Sequence, residues 1–152
     1  MQSIFSYFKK FKSDKNNLFV TKPNNTNYVA ISTIHGRGVF AQKTIKIGTI
    51  IEECPIIKMK LQEMTIRKQM LLNYYAFMID EQNEYTGIAL GYGSLYNHSD
   101  NCNATYYFDK EKELMIFEST QLIPKNQEIT NNYLGSNPDG KSIENWVNKP
   151  EI

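Results

Sequence analysis

From Tyr28 onward, hydrophobic residues come in short runs broken by glycine, proline, asparagine and charged clusters, the punctuation of small strands. Tyr28 to Ile34 is the first such run, and Val39-Phe40-Ala41 follows a Gly-x-Gly turn. Thr49 to Glu53 comes after Lys46-Ile47-Gly48. Thr105 to Phe108 and Leu114 to Phe117 flank the polar stretch Asp109-Lys110-Glu111-Lys112-Glu113, which reads as a hairpin. Pro124 to Gln127 makes a turn, and Glu128 to Tyr133 resumes an extended pattern. Thr65 to Met78 is the one helical candidate of any length, although its tyrosines and late apolar run also suit a strand. The pattern predicts a mainly β fold of several small sheets. There is also a faint internal echo. Phe40 to Gly48 resembles Phe117 to Asn126, in that an apolar strand runs into a tight turn and then a second strand. This reads as two similar strand connections, not as a solenoid repeat.

Residues 1–27 have a different texture. Ile4, Phe5, Phe8 and Phe11 recur at helical spacing with lysines between them, and Ser13 to Asn27 is polar and turn-rich. A short amphipathic helix that touches a membrane or a partner is one reading. An end segment that packs on the domain or frays is the plainer and favoured one.

Composition narrows the function classes. A chain of 152 residues is one ordinary domain, long enough to build a core without staples. A net charge of +1 lacks the basic footprint of a dedicated nucleic-acid binder, so no nucleic-acid partner is expected. The two cysteines, Cys54 and Cys102, form no CxxC pair, so neither a disulfide framework nor a bound metal is expected. No run of about 18 apolar residues exists, which argues against a membrane span. Lys9, Lys10 and Lys12 break up the N-terminal apolar residues, so no cleavable signal is expected. These features point to a cytoplasmic or nuclear protein that is not secreted.

Three patches carry chemistry. In His35-Gly36-Arg37-Gly38-Val39-Phe40, two glycines let the backbone bend sharply and approach a ligand closely, though the spacing does not fit a dinucleotide fingerprint. Gly91 to Asn103 packs aromatic, amide and imidazole side chains into one short stretch that includes Tyr96-Asn97-His98-Ser99. No GxSxG elbow accompanies His98, which weighs against a serine hydrolase. The third patch is Glu128-Ile129-Thr130-Asn131-Asn132-Tyr133.

Taken in order, the patches resemble the SET-domain family of protein lysine methyltransferases, over roughly Tyr28 to Tyr133. Gly36 to Ala41 looks like the family's opening GxG-(V/L)-F-A motif, and Lys46 to Glu53 like the strand after it. Asn73-Tyr74-Tyr75-Ala76-Phe77 resembles the central Tyr-x-Phe segment. Tyr96 to Ser99, with Asn103, resembles the aromatic-Asn-His-Ser…Pro-Asn signature, and Glu128 to Tyr133 the E-(L/I)-x-x-x-Y motif. Small stand-alone SET proteins of large DNA viruses look nearest in length and wording.

The resemblance implies a β-clip-like fold with a knot-like threaded C-terminal segment. It divides the chain into an N-terminal extension (1–27), a SET domain (28–135) and a tail (136–152) without zinc-binding cysteines. It implies S-adenosylmethionine as cofactor, held by Gly36, Arg37, Gly38, Tyr96, Asn97, His98 and Tyr133. Tyr133 and Tyr75 become the catalytic candidates, and core packing is an equal reading of Tyr96. Tyr75, Asn131 and Trp146 would line the channel for a lysine of a protein substrate, a histone tail being the obvious guess. Stretch 57–80 is expected to select the substrate. Pairing of two copies, as in the viral relatives, rests on the same likeness. A SET fold that only binds a lysine-containing peptide, with weak or no transfer, is the competing class. Two departures stand out. Cys102 occupies the usual proline position, and Asn131 stands where many members carry the Phe or Tyr that limits methyl number.

Overall fold

The computed structural model describes residues 25–65, 71–80 and 84–133. The N-terminal helical pattern, the tail and Trp146 lie outside them. Nine strands are described: β1 (Asn27–Ile31), β2 (Arg37–Ala41), β3 (Ile50–Lys60), β4 (Ala76–Met78), β5 (Tyr85–Ala89), β6 (Asn97–His98), β7 (Ala104–Asp109), β8 (Leu114–Ser119) and β9 (Glu128–Asn131). They form two sheets, ordered β1-β2-β9-β6 and β4-β5-β3-β8-β7. The fold is mainly β, as the punctuation of the sequence predicts. All pairings are antiparallel except β6 with β9.

The long strand β3 joins two neighbourhoods. Its residues Ile50 to Pro55 pair with β8, and Ile56 to Lys60 pair with β5. Pro55 sits at the handover, where its missing N–H costs little. Val39, Ile45, Ile51, Met115, Phe117, Ile123 and Ile129 are all buried and form the core, with the Tyr96 ring stacked on Phe117 at 4.5 Å.

The echo between residues 40–48 and 117–126 turns out to be a structural repeat whose two copies pair with each other. Ile45 and Ile123 exchange backbone hydrogen bonds at 2.8 and 2.9 Å. Ala41 N–H donates to Gln127 O at 2.9 Å, and its counterpart Ser119 N–H donates to Thr49 O at 3.0 Å. Asn126 N–H to Ala41 O (2.7 Å) is matched by Gly48 N–H to Ser119 O (2.8 Å). The matched turn positions Gly48 and Asn126 have φ of 74° and 67°, a left-handed conformation that favours Gly and Asn. The incoming strand of each copy pairs with the outgoing strand of the other, β2 with β9 and β8 with β3.

Thr65–Met78, which suits a helix or a strand by its letters, is not one helix; residues 66–70 of it lie outside the described residues. A short helix α1 covers Leu61–Thr65, Leu71–Tyr75 is a 3-10 turn, and Ala76–Met78 is β4, the strand that the late apolar run suits. Pairing of Ala76 and Met78 with Ile88 and Thr86 on β5 satisfies this backbone laterally, and tertiary pairing overrides the local spacing. Ser94 fixes the end of the turn, donating through Oγ to Tyr75 O (2.9 Å) and accepting from Ala89 N–H (3.1 Å). The first four residues of stretch 57–80 belong to β3.

Candidate active site

The β1–β2 loop, β6 and the end of β9 meet in one place. Gly36 has φ of 48°, and an added Cβ there would touch nothing within 4 Å, so the loop leaves open space beside it. Gly38 is the opposite case. A Cβ there would collide with the Glu128 carboxylate and come within 3.0 Å of Asn97 Nδ2. Asn97 explains the crowding, because its Nδ2 lies 2.8 Å from Glu128 Oε1, 3.1 Å from His35 O and 3.3 Å from Arg37 O. Ser32 Oγ lies 2.9 and 2.8 Å from the two oxygens of the same carboxylate. Among the described residues no cation pairs with Glu128. This corner is therefore rich in acceptor oxygens and suits a cationic ligand.

His98 and Tyr133 are locked together. Tyr133 N–H donates to His98 Nδ1 at 3.1 Å, which leaves the ring proton on Nε2, facing Asp100 Oδ1 at 3.2 Å. Asp100 is exposed, so that outer pair contributes little. The Tyr133 hydroxyl donates to Tyr96 O at 2.9 Å, while Tyr106 donates to Tyr133 O at 3.3 Å. Burial, followed by Tyr75, Tyr106 and Glu128, pushes the Tyr133 hydroxyl from 10.0 up to about 12. It therefore stays a neutral dipole at physiological pH. Tyr75 stands near enough to contribute to that shift.

Asn131 is fully buried, and among the described residues neither its Oδ1 nor its Nδ2 has a hydrogen-bond partner. Tyr96, expected among the cofactor contacts, offers its carbonyl here while its hydroxyl turns inward to Glu52. The Arg37 side chain is exposed, and what joins the network is its carbonyl. Sequence reasoning assigned no role to Ser32, Glu128 or Glu52. Asn103 was seen only as part of a signature. Its side chain grips β9 at both Glu128 O (2.9 Å) and Thr130 N–H (3.0 Å). An asparagine in a loop just before a strand was the one available hint.

A family model of the SET domain matches residues 36–134. This chain belongs to the SET-domain family. Its relatives include a histone-lysine N-methyltransferase of Schizosaccharomyces pombe, H3 lysine-37 specific, 31% identical over 64% of this chain and 66% of that protein. Another is human histone-lysine N-methyltransferase 2D, 31% identical over 84% of this chain. The SET chain spans less than two thirds of both, and only 2% of the human protein. Among solved structures, a Plasmodium falciparum candidate histone methyltransferase superimposes with a TM-score of 0.58 and 32% identity, covering 71% of this chain and 92% of that one. Among the described residues, no helix is long and apolar enough to cross a membrane and no acidic, His or Cys cluster could hold a metal.

The buried hydroxyls set an alkaline limit. Tyr133 and Tyr106 are raised by burial, Tyr96 by burial and then Glu52, and Cys54 by the same two causes. The unfolded chain releases these protons first, so it binds fewer than the native state and stability falls with rising pH. Thermal unfolding is expected to show a midpoint that begins to drop above about pH 9 and falls steeply from about 10 to 12.

Proposed function

We propose that this SET domain is a protein-lysine N-methyltransferase that uses S-adenosylmethionine and acts on a histone lysine. The observation that carries the reading is the meeting of the Gly36–Gly38 loop, Asn97, His98 and Tyr133 around one acceptor-rich corner. When bound, S-adenosylmethionine supplies an electrophilic methyl group on a sulfonium sulfur. Its cationic ammonium suits the carbonyls of His35 and Arg37 beside Asn97 and the uncompensated Glu128 carboxylate. His98 and Gly36 to Gly38 complete that pocket.

The chain's own work is to bind, orient and dry the reacting amine. A lysine with an ordinary pKa near 10.4 must lose its proton before it attacks. Half-buried Tyr75 and Tyr133 form a lining that disfavours the ammonium through desolvation. The Tyr133 hydroxyl, held by Tyr96 O, is a fixed dipole that aligns the amine without adding charge. Alignment of this kind is worth several kcal/mol. Asn131 lines the channel with an amide whose donors and acceptor are free for an amine or its water shell. The names of the yeast and human relatives support a histone target, which puts the site of action in a nucleus.

Isotope-labelled methyl transfer to core histones, with products located by mass spectrometry, tests this. Label on specific histone lysines is the expected outcome. Cofactor binding with no label on histones or on a lysate would overturn the transferase reading in favour of a lysine-binding module.

A further inference from the structure

Glu52 is a buried carboxylate, 8% exposed, with no cation beside it among the described residues. Such a charge is costly unless hydrogen bonds replace its water. Here they do. Oε1 accepts Tyr92 N–H at 2.9 Å. Oε2 accepts the Tyr96 hydroxyl at 2.9 Å and Asn27 Nδ2 at 3.2 Å, while Asn27 also donates to Tyr96 Oη at 2.7 Å. The Cys54 thiol lies near the same carboxylate; burial, and then that carboxylate, push its pKa up.

The two oxygens thus hold opposite ends of residues 92–96, with the 3-10 turn Gly93–Leu95 between them. That segment ends in the Tyr96 carbonyl, acceptor of the Tyr133 hydroxyl, and continues directly into Asn97 and His98. A glutamine would fill the same volume. What the carboxylate alone provides is acceptance at both oxygens. We propose that Glu52 is a positioning residue for Tyr133, clamping the 92–96 turn so that the Tyr96 carbonyl fixes the Tyr133 hydroxyl. This rests on the reading of Tyr133 as the group that aligns the amine. Glu52 touches neither substrate nor cofactor and acts only through the turn.

Glu52→Gln and Tyr96→Phe test it, the second removing one clamp bond while keeping the ring on Phe117. Three readouts are taken together: kcat for methyl transfer, S-adenosylmethionine affinity by calorimetry, and the NMR signal of ring-labelled Tyr133, assigned with Tyr133→Phe. Both variants should lower kcat about tenfold, the scale of one displaced hydrogen bond. Cofactor Kd should stay within about threefold, well inside that loss. The Tyr133 signal should shift while that of exposed Tyr107 stays put. An unmoved Tyr133 signal, or a Kd weakened as much as kcat, overturns the proposal. If Glu52→Gln does not fold, Tyr96→Phe decides by the same criteria. If the wild-type protein transfers no methyl group, the functional reading fails, and the Tyr133 signal alone still judges the clamp.

Discussion

Replacing Gly38 with alanine is expected to cost about 2–3 kcal/mol of stability, two to three hydrogen bonds' worth, and to remove measurable S-adenosylmethionine binding. The added methyl meets Glu128, with its Cδ at 2.7 Å. A carboxylate on a flexible side chain could ordinarily swing aside. This one is pinned by Ser32 and Asn97, and Asn97 in turn holds the His35 and Arg37 carbonyls. Any relief therefore opens the whole corner. Gly36→Ala is the matched control. It meets open space and carries only the strain of a φ of 48°, about 1–2 kcal/mol. Strain shared by the free and bound states cancels in an affinity. A loss of cofactor affinity in Gly36→Ala would thus place the ligand against that open face, and a loss of about tenfold or more is expected from a methyl-sized intrusion. Unfolding curves and calorimetric titration of both variants check these outcomes. A Gly38→Ala protein that binds normally would move the cofactor away from this corner.

Tyr133→Phe should leave a folded protein that binds S-adenosylmethionine within a few-fold of wild type and loses kcat by about 100-fold or more, the usual scale for a lost preorganised donor. The backbone bond from Tyr133 N–H to His98 Nδ1 survives the change, so the loop end stays anchored. The change removes the hydroxyl bond to Tyr96 O, at about 1 kcal/mol of stability. Labelled transfer and a binding titration on the same preparation separate the two effects. A loss confined to KM would recast Tyr133 as a wall of the substrate channel.

The sequence showed the order of the site but not its wiring. Gly36, Gly38, Asn97, His98 and Tyr133 were visible because their chemistry lies in short contiguous motifs. Ser32 and Glu52 were not, and Glu128 was seen only as the head of a motif, because what makes them matter is a partner far along the chain, and periodicity carries no long-range hydrogen bonds. The β7–β8 hairpin was legible from its charged loop. Strand β5 was passed over because Tyr85-Thr86-Gly87-Ile88-Ala89 is short and interrupted by glycine, and it becomes a strand by lying between β3 and β4. Thr65–Met78 suited either a helix or a strand by its letters, and the pairing partner supplied by β5 decided for a strand at Ala76–Met78. Residues 40–48 and 117–126 looked merely alike, and nothing in their letters said that they would hold each other.

That mutual grip has a consequence for how the molecule is made. Neither copy can finish its own strand pairs, since each outgoing strand is received by the other copy's incoming one. A ribosome must therefore deliver β9 before β2 gains its second neighbour and before β6 gains the neighbour it has among the described residues. Loop closure across so much intervening chain is slow compared with hairpin formation, so folding should wait on this final docking. The acceptor-rich corner takes its carboxylate, Glu128, from that same last strand, and Tyr133 lies just beyond it. Folding and completion of the corner should then arrive in one kinetic event, leaving no long-lived half-built state with an open acceptor-rich pocket.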